Sequence, residues 1–127
     1  MSGRDRSPGE RRRVLVIEDE LMIAMLIEDM LDELGYDVVV TAMRLDQAEE
    51  AARGADFDLA MLDVNIAGQW SFPVAAILHD RGIPFLFATG YGQAGVTAHY
   101  PDATVLKKPF TTQQLGQALA SLGGTPA

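Results

Sequence analysis

Short, wholly apolar runs, each stopping on a polar or charged residue, restrict the fold of this chain more than any other feature. Val14-Leu15-Val16-Ile17 stops on Glu18-Asp19-Glu20, and Leu59-Ala60-Met61-Leu62 stops on Asp63. Phe85-Leu86-Phe87-Ala88 stops on Thr89-Gly90, and Thr104-Val105-Leu106 on Lys107-Lys108-Pro109. Runs this short, with no polar alternation, suit strands buried on both faces, as in parallel sheets. Val38-Val39-Val40 adds a fifth strand.

Helical stripes separate the runs. Ile23, Ile27, Met30, Leu31 and Leu34 share one face, and Gly35 follows as a stop. Leu45, Ala48 and Ala52 make a weaker stripe ending at Gly54. Val74, Ile77 and Leu78 form a third, with Ser71 as its cap, Pro73 in the first turn and Gly82 past the end. Leu115, Ala118, Leu119 and Leu122 form the last, preceded by Thr111 and Gln114 at capping-box spacing. Gln93 to His99 reads as a short, irregular helix. Strands alternating with helices predict an α/β fold, a doubly wound five-stranded parallel sheet covered on both faces.

Parallel strands end along one edge, where open α/β sheets bind ligands. Glu18, Asp19, Asp63, Thr89 and Lys108 would then share one crevice. Such a set can hold a divalent cation and handle a phosphoryl group. Taken singly, each residue has a plainer reading. Glu18-Asp19-Glu20 suits a helix N-terminus, Asp63 and Thr89-Gly90 suit turns, and Lys107-Lys108 suits a solvated surface. Phe110 reads as core, Trp70 as partly exposed in a polar loop, and His79 and His99 as isolated residues with surface or structural roles. The plain readings would have to coincide at four strand ends.

The 127 residues make one domain, contain no cysteine and hold no apolar stretch of membrane-spanning length. With a polar, charged start in place of a signal peptide, the reading is a cytoplasmic protein. Residues 1–12 read as a flexible basic arm, 13–122 as the domain and 123–127 as a disordered tail. Arg4, Arg6, Arg11, Arg12 and Arg13 crowd the start. Setting the first 13 residues aside leaves 5 basic residues against 16 acidic, a net charge of −11. A body so acidic repels nucleic acid, so no DNA partner is expected.

At these residues the chain resembles a bacterial response-regulator receiver domain, over about residues 13 to 122. The resemblance lies in an acidic pair after the first strand, Asp63 after the third, Thr89 after the fourth and Lys108-Pro109-Phe110 after the fifth. It implies a flavodoxin-like sheet of order 2-1-3-4-5. Its implied role is phosphorelay signalling, in which a histidine kinase or histidine phosphotransfer protein supplies a phosphoryl group to Asp63. Catalysis would be limited to self-phosphorylation and self-dephosphorylation. Mg²⁺ would be ligated by Asp19, Asp63 and the backbone carbonyl of Asn65, with Glu18 acting through a water. Lys108 and Thr89 would contact the phosphoryl oxygens, and the Lys108-Pro109 peptide would be cis. Pro84 to Tyr91, Pro-Phe-Leu-Phe-Ala-Thr-Gly-Tyr, also resembles the signature of FAT GUY receivers. Members of that group are often single-domain proteins paired with HWE-type kinases, and the downstream protein is unspecified.

Three departures stand out. Glu18 replaces the usual first aspartate. Ala67 stands where a proline is usual, which predicts a looser loop. Val105 replaces the usual aromatic switch, which weakens the usual signalling route from Thr89 to that aromatic and points to another route, with Tyr91 as a gate. Leu21, Met22 and Met25 point away from the buried face of their helix, which suggests a partner surface for the kinase. Two other classes use or discard the same residues. A haloacid-dehalogenase-like, Mg²⁺-dependent phosphohydrolase needs a second carboxylate two residues after its nucleophile, where this chain has Asn65. A pseudo-receiver that binds partners without phosphate would have no use for the full residue set.

Overall fold

The structure, a computed structural model, describes residues 11–90, 96 and 99–122. In chain order it contains β1 (Arg12–Ile17), α1 (Leu21–Glu33), β2 (Tyr36–Ala42), α2 (Leu45–Gly54) and β3 (Leu59–Asp63). Then come β4 (Asn65–Ile66), β5 (Gln69–Trp70), α3 (Phe72–Asp80), β6 (Phe85–Thr89), β7 (Thr104–Lys107) and α4 (Thr112–Ser121). Five strands form one parallel sheet, ordered β2-β1-β3-β6-β7. With the small β4–β5 hairpin set apart, this is the expected 2-1-3-4-5 order. Of the predicted Gln93–His99 helix, Val96 and His99 are helical and the rest lies outside the described residues.

Side chains alternate across each strand, and so the apolar runs feed two cores. Leu15, Ile17, Ala60, Leu62 and Phe87 pack with Ala48 and Ala52 of α2 and with Val74, Ala75 and Leu78 of α3. Val14, Val16, Leu59, Met61, Leu86 and Ala88 pack with Ile27 and Leu31 of α1 and with Leu115 and Leu119 of α4. Phe110 packs, partly buried, on this second core. Gly116 lets α4 approach α1: a Cβ there would stand 2.9 Å from Leu34 Cδ2.

Helix ends follow the sequence signals with one exception. The Thr111 hydroxyl accepts from Gln114 N at 3.1 Å, and Thr111 N donates to Gln114 Oε1 at 2.9 Å, a complete capping box. Ser71 occupies the N-cap position of α3 but does not cap it. Its hydroxyl is fully buried, with no hydrogen-bond partner among the described residues. Its backbone φ and ψ of −86° and 6° depart from the extended geometry that side-chain capping requires.

The folded domain begins earlier than residue 13, where the sequence placed its start. Arg12 and Arg13 lie in β1. Arg11 donates to the carbonyls of Asp32 and Tyr36, at 2.7 and 3.0 Å, and pairs with the Asp32 and Asp37 carboxylates. Arg13 pairs with Asp56 at 2.9 Å, and its amide donates to the buried Asp58 carboxylate at 2.7 Å. The end of α1 and the start of β2 supply the acceptors for Arg11, and the segment between α2 and β3 supplies those for Arg13. The acidic excess of the body is smaller by the same three charges.

Candidate functional site

Strand register assembles the site. Ile17 of β1 stands beside Leu62 of β3, so Glu18 and Asp63 are the next residues along neighbouring strands. Asp63 is level with Ala88 of β6, and Thr89 with Lys107 of β7. The Lys108 amide donates to the Thr89 carbonyl at 2.8 Å, which extends the ladder one residue past the strand. The residues predicted to converge at the carboxyl edge do so. Thr89 is buried, and the Lys108-Pro109 peptide is cis.

Lys108 binds two carboxylates at once. Its Nζ donates to Glu18 Oε1 at 2.6 Å and to Asp63 Oδ2 at 2.9 Å. The Glu18 side chain is only 2% exposed. Burial drives its carboxyl above the ordinary 4.5, against the hydrogen bond and charge of Lys108, and the nearby Asp63 charge adds to the rise. Burial disfavours the Lys108 ammonium, but its bonds and attraction to Glu18 and Asp63 outweigh that and lift it above 10.5. The lysine thus holds a half-buried positive charge against the acidic pair.

Glu18, Asp19 and Asp63 each bring a carboxylate oxygen within 4.8 Å of the others. Oxygens sharing an octahedral Mg²⁺ shell lie within about 4.2 Å of each other. Small side-chain rotations therefore fit this all-oxygen set to a hard divalent cation. The Glu20 amide donates to Glu18 Oε2 at 3.2 Å.

The segment after Asp63 is not a loose loop. β4 and β5 pair antiparallel, with Asn65 opposite Trp70 and Ile66 opposite Gln69. Ala67 and Gly68 close this hairpin, and the Ala67 amide donates to Asp19 Oδ2 at 2.8 Å. The Asn65 carboxamide accepts from Gly68 N at 2.9 Å. The side chain two residues beyond Asp63 therefore serves a turn and carries no carboxylate, which disfavours the phosphohydrolase reading. Two-residue strands lie below what apolar periodicity reveals, and Gly68 was the sole sequence cue.

Trp70 lies on β5 and is 55% exposed. Its ring stacks on Phe72, with centroids 5.3 Å apart. Phe72 also stacks on His99 at 4.5 Å and touches Phe87 and Tyr100. His99, read as isolated, belongs to this aromatic cluster. Val105 packs, partly buried, against the α2 and α3 core, while Tyr91 lies outside the described residues. Leu21, Met22 and Met25 are exposed as predicted, Met22 by 84%, and Leu26 joins them.

The response regulator receiver domain model matches residues 14–120. SdrG from Sphingomonas melonis Fr1, solved in solution, is 40% identical, with a TM-score of 0.79 over 89% of this chain and 97% of that one. A solution structure of the BeF3-activated conformation of SdrG from Pseudomonas melonis Fr1 gives a TM-score of 0.75 at 40% identity, over 87% of this chain and 94% of that one. The transcriptional regulatory protein PdtaR of Mycobacterium tuberculosis is 32% identical over 112 residues, 85% of this chain and 55% of that protein. The chain spans about half the length of the curated relatives it matches. The match runs from the first strand to the last helix, and this chain belongs to the response regulator receiver domain family, the phosphoacceptor modules of two-component signalling.

Proposed function

We propose that this receiver accepts a phosphoryl group on Asp63 from the phosphohistidine of a sensor kinase or phosphotransfer protein. The observation that carries the reading is Lys108 Nζ at 2.9 Å from Asp63, inside a cluster that Glu18 and Asp19 complete. In the transfer, an Asp63 oxygen bonds to phosphorus as the bond to the histidine nitrogen breaks, and that nitrogen keeps the electron pair. Both reactants are anionic, so positioning and charge neutralisation supply the catalysis. Lys108 leaves Asp63 for a phosphoryl oxygen while Glu18 keeps hold of its other side. The Thr89 hydroxyl donates to a second phosphoryl oxygen. Asp19, Asp63 and the Asn65 carbonyl would hold Mg²⁺, with Glu18 acting through water, and the ion would supply positive charge at the phosphoryl oxygens.

The PFLFATGY segment and Val105 favour the FAT GUY subgroup, with an HWE-type kinase as donor and Tyr91 as gate. The exposed Leu21, Met22, Met25 and Leu26 of α1, beside Glu18-Asp19, serve as the kinase contact surface. The chain works in the cytoplasm, without DNA or a membrane, through a separate downstream protein. Among the described residues no helix is long and apolar enough to cross a membrane.

Intact-mass spectrometry after acetyl phosphate and Mg²⁺ tests the assignment. One added phosphoryl group is expected, dependent on Mg²⁺, lost in hydroxylamine and absent from Asp63→Ala. Undiminished labelling of that variant would overturn it.

A further inference from the structure

Ala67 is the one non-glycine residue with positive φ among the described residues, at 51°, and Gly68 beside it stands at 85°. Two successive positive φ values joining β4 to β5 make a type I′ hairpin turn. Asn-Gly, Asp-Gly or Gly-Gly usually fills such a turn, because a Cβ crowds the backbone in the left-handed region. Alanine has no polar side chain with which to offset that crowding locally. Strained positions of this kind persist where the surroundings over-determine them, and they cluster at functional sites.

What surrounds Ala67 is specific. Its amide reaches across the fold to Asp19 Oδ2 at 2.8 Å. The turn that presents this amide is braced by Asn65 Oδ1, which accepts from Gly68 N at 2.9 Å. The base of the hairpin is pinned by Ser71 N, which donates to the Val64 carbonyl at 2.9 Å. An N–H held on one oxygen restricts rotation of the very carboxylate that lies within 4.8 Å of Glu18 and Asp63. A ligand arm that is already fixed loses less rotamer freedom on ligation. A proline at 67 could do none of this. It has no N–H, and its ring locks φ near −65°.

We propose that the β4–β5 hairpin positions the divalent-cation site: the strained Ala67 turn presents an amide that holds the Asp19 carboxylate in its ligating orientation. Ala67 is a positioning residue acting through Asp19. The inference rests on the metal reading given under Proposed function.

The test compares Ala67→Pro with Ala67→Asn and Ala67→Gly, which keep the amide and tolerate positive φ. Mg²⁺ titrations are followed by backbone amide chemical shifts, and acetyl-phosphate labelling rates are measured across Mg²⁺ concentration. Ala67→Pro should raise the half-saturating Mg²⁺ concentration by about tenfold or more, the usual scale for losing a group that orients a metal ligand. Its labelling rate at saturating Mg²⁺ should match wild type. The asparagine and glycine variants should keep wild-type half-saturation. Equal half-saturation in Ala67→Pro and wild type overturns the proposal, as does equal weakening in all three variants. If Ala67→Pro does not fold, amide hydrogen exchange without Mg²⁺ decides. The Ala67 amide should exchange slowly in wild type and faster in Asp19→Ala, and equal rates overturn the proposal. A wild type whose amide shifts ignore Mg²⁺ overturns the metal reading, and the positioning role with it. A wild type that binds Mg²⁺ beside an equally competent Ala67→Pro overturns the positioning role alone.

Discussion

Glu18 shows how burial changes the meaning of a residue. In the sequence it is one of three consecutive acids, whereas in the fold it lies under Lys108 beside Asp63 with almost no exposure. Its folded carboxyl titrates above the ordinary 4.5, with burial as the largest cause. The native state then binds more protons than the unfolded chain between the two values. This group's contribution to stability is present below 4.5 and is lost as pH rises through its folded value. Glu18→Gln keeps the shape and an acceptor for Lys108 and removes the buried charge, while Asp63 still pairs the lysine. Without Mg²⁺ at pH 7, thermal unfolding of Glu18→Gln should show a gain of roughly 1 kcal/mol, the scale of a stabilising charge change. The gain should shrink toward zero as pH falls to about 4.5. A variant less stable than wild type at neutral pH would mean that the Glu18–Lys108 attraction exceeds the burial penalty.

α1 carries two faces of different fate. Ala24, Ile27 and Leu31 are buried, while Leu21, Met22, Met25 and Leu26 are exposed beside Glu18-Asp19. The 3.6-residue stripe made the buried face legible. Leu26 lies between the two sets in helical projection, and the fold leaves it exposed. Met25→Glu should fold and label with acetyl phosphate like wild type, yet accept phosphoryl groups from the cognate kinase about tenfold more slowly, the scale of one interface residue. Equal loss of both activities would place the docking surface elsewhere. The aromatic cluster shows the opposite limit. Trp70 and Phe72, Phe87, and His99 with Tyr100 come from three stretches of chain, and no local pattern links the three.

Across the molecule, the sheet edge concentrates Glu18, Asp19 and Asp63 against one lysine. A cation that binds only the folded chain stabilises it, by about 1.4 kcal/mol at ten times its dissociation constant. Calorimetry should therefore show Mg²⁺ raising the melting temperature by roughly 5 °C at that excess. Asp19→Asn should remove most of the rise, and Glu18→Gln less of it. A melting curve unmoved by millimolar Mg²⁺ would show that Lys108 alone neutralises the pocket.

The sequence by itself determined the fold class, the strand and helix order, and the five chemical residues at the strand ends. It could do so because burial on both faces leaves uninterrupted apolar runs, and the residue that ends such a run marks the sheet edge. Helix stops and the Thr111–Gln114 box were legible for the same local reason. The tertiary structure alone decided how those residues engage each other. Lys108 bridges Glu18 and Asp63, 90 and 45 residues away. Arg11 leaves the expected arm because acceptors on distant segments meet it, as they meet Arg13 in β1. The Ala67 turn closes a hairpin whose amide reaches Asp19, 48 residues earlier. Each of these contacts joins segments far apart in the chain, so its partner is set by sheet register rather than by local spacing.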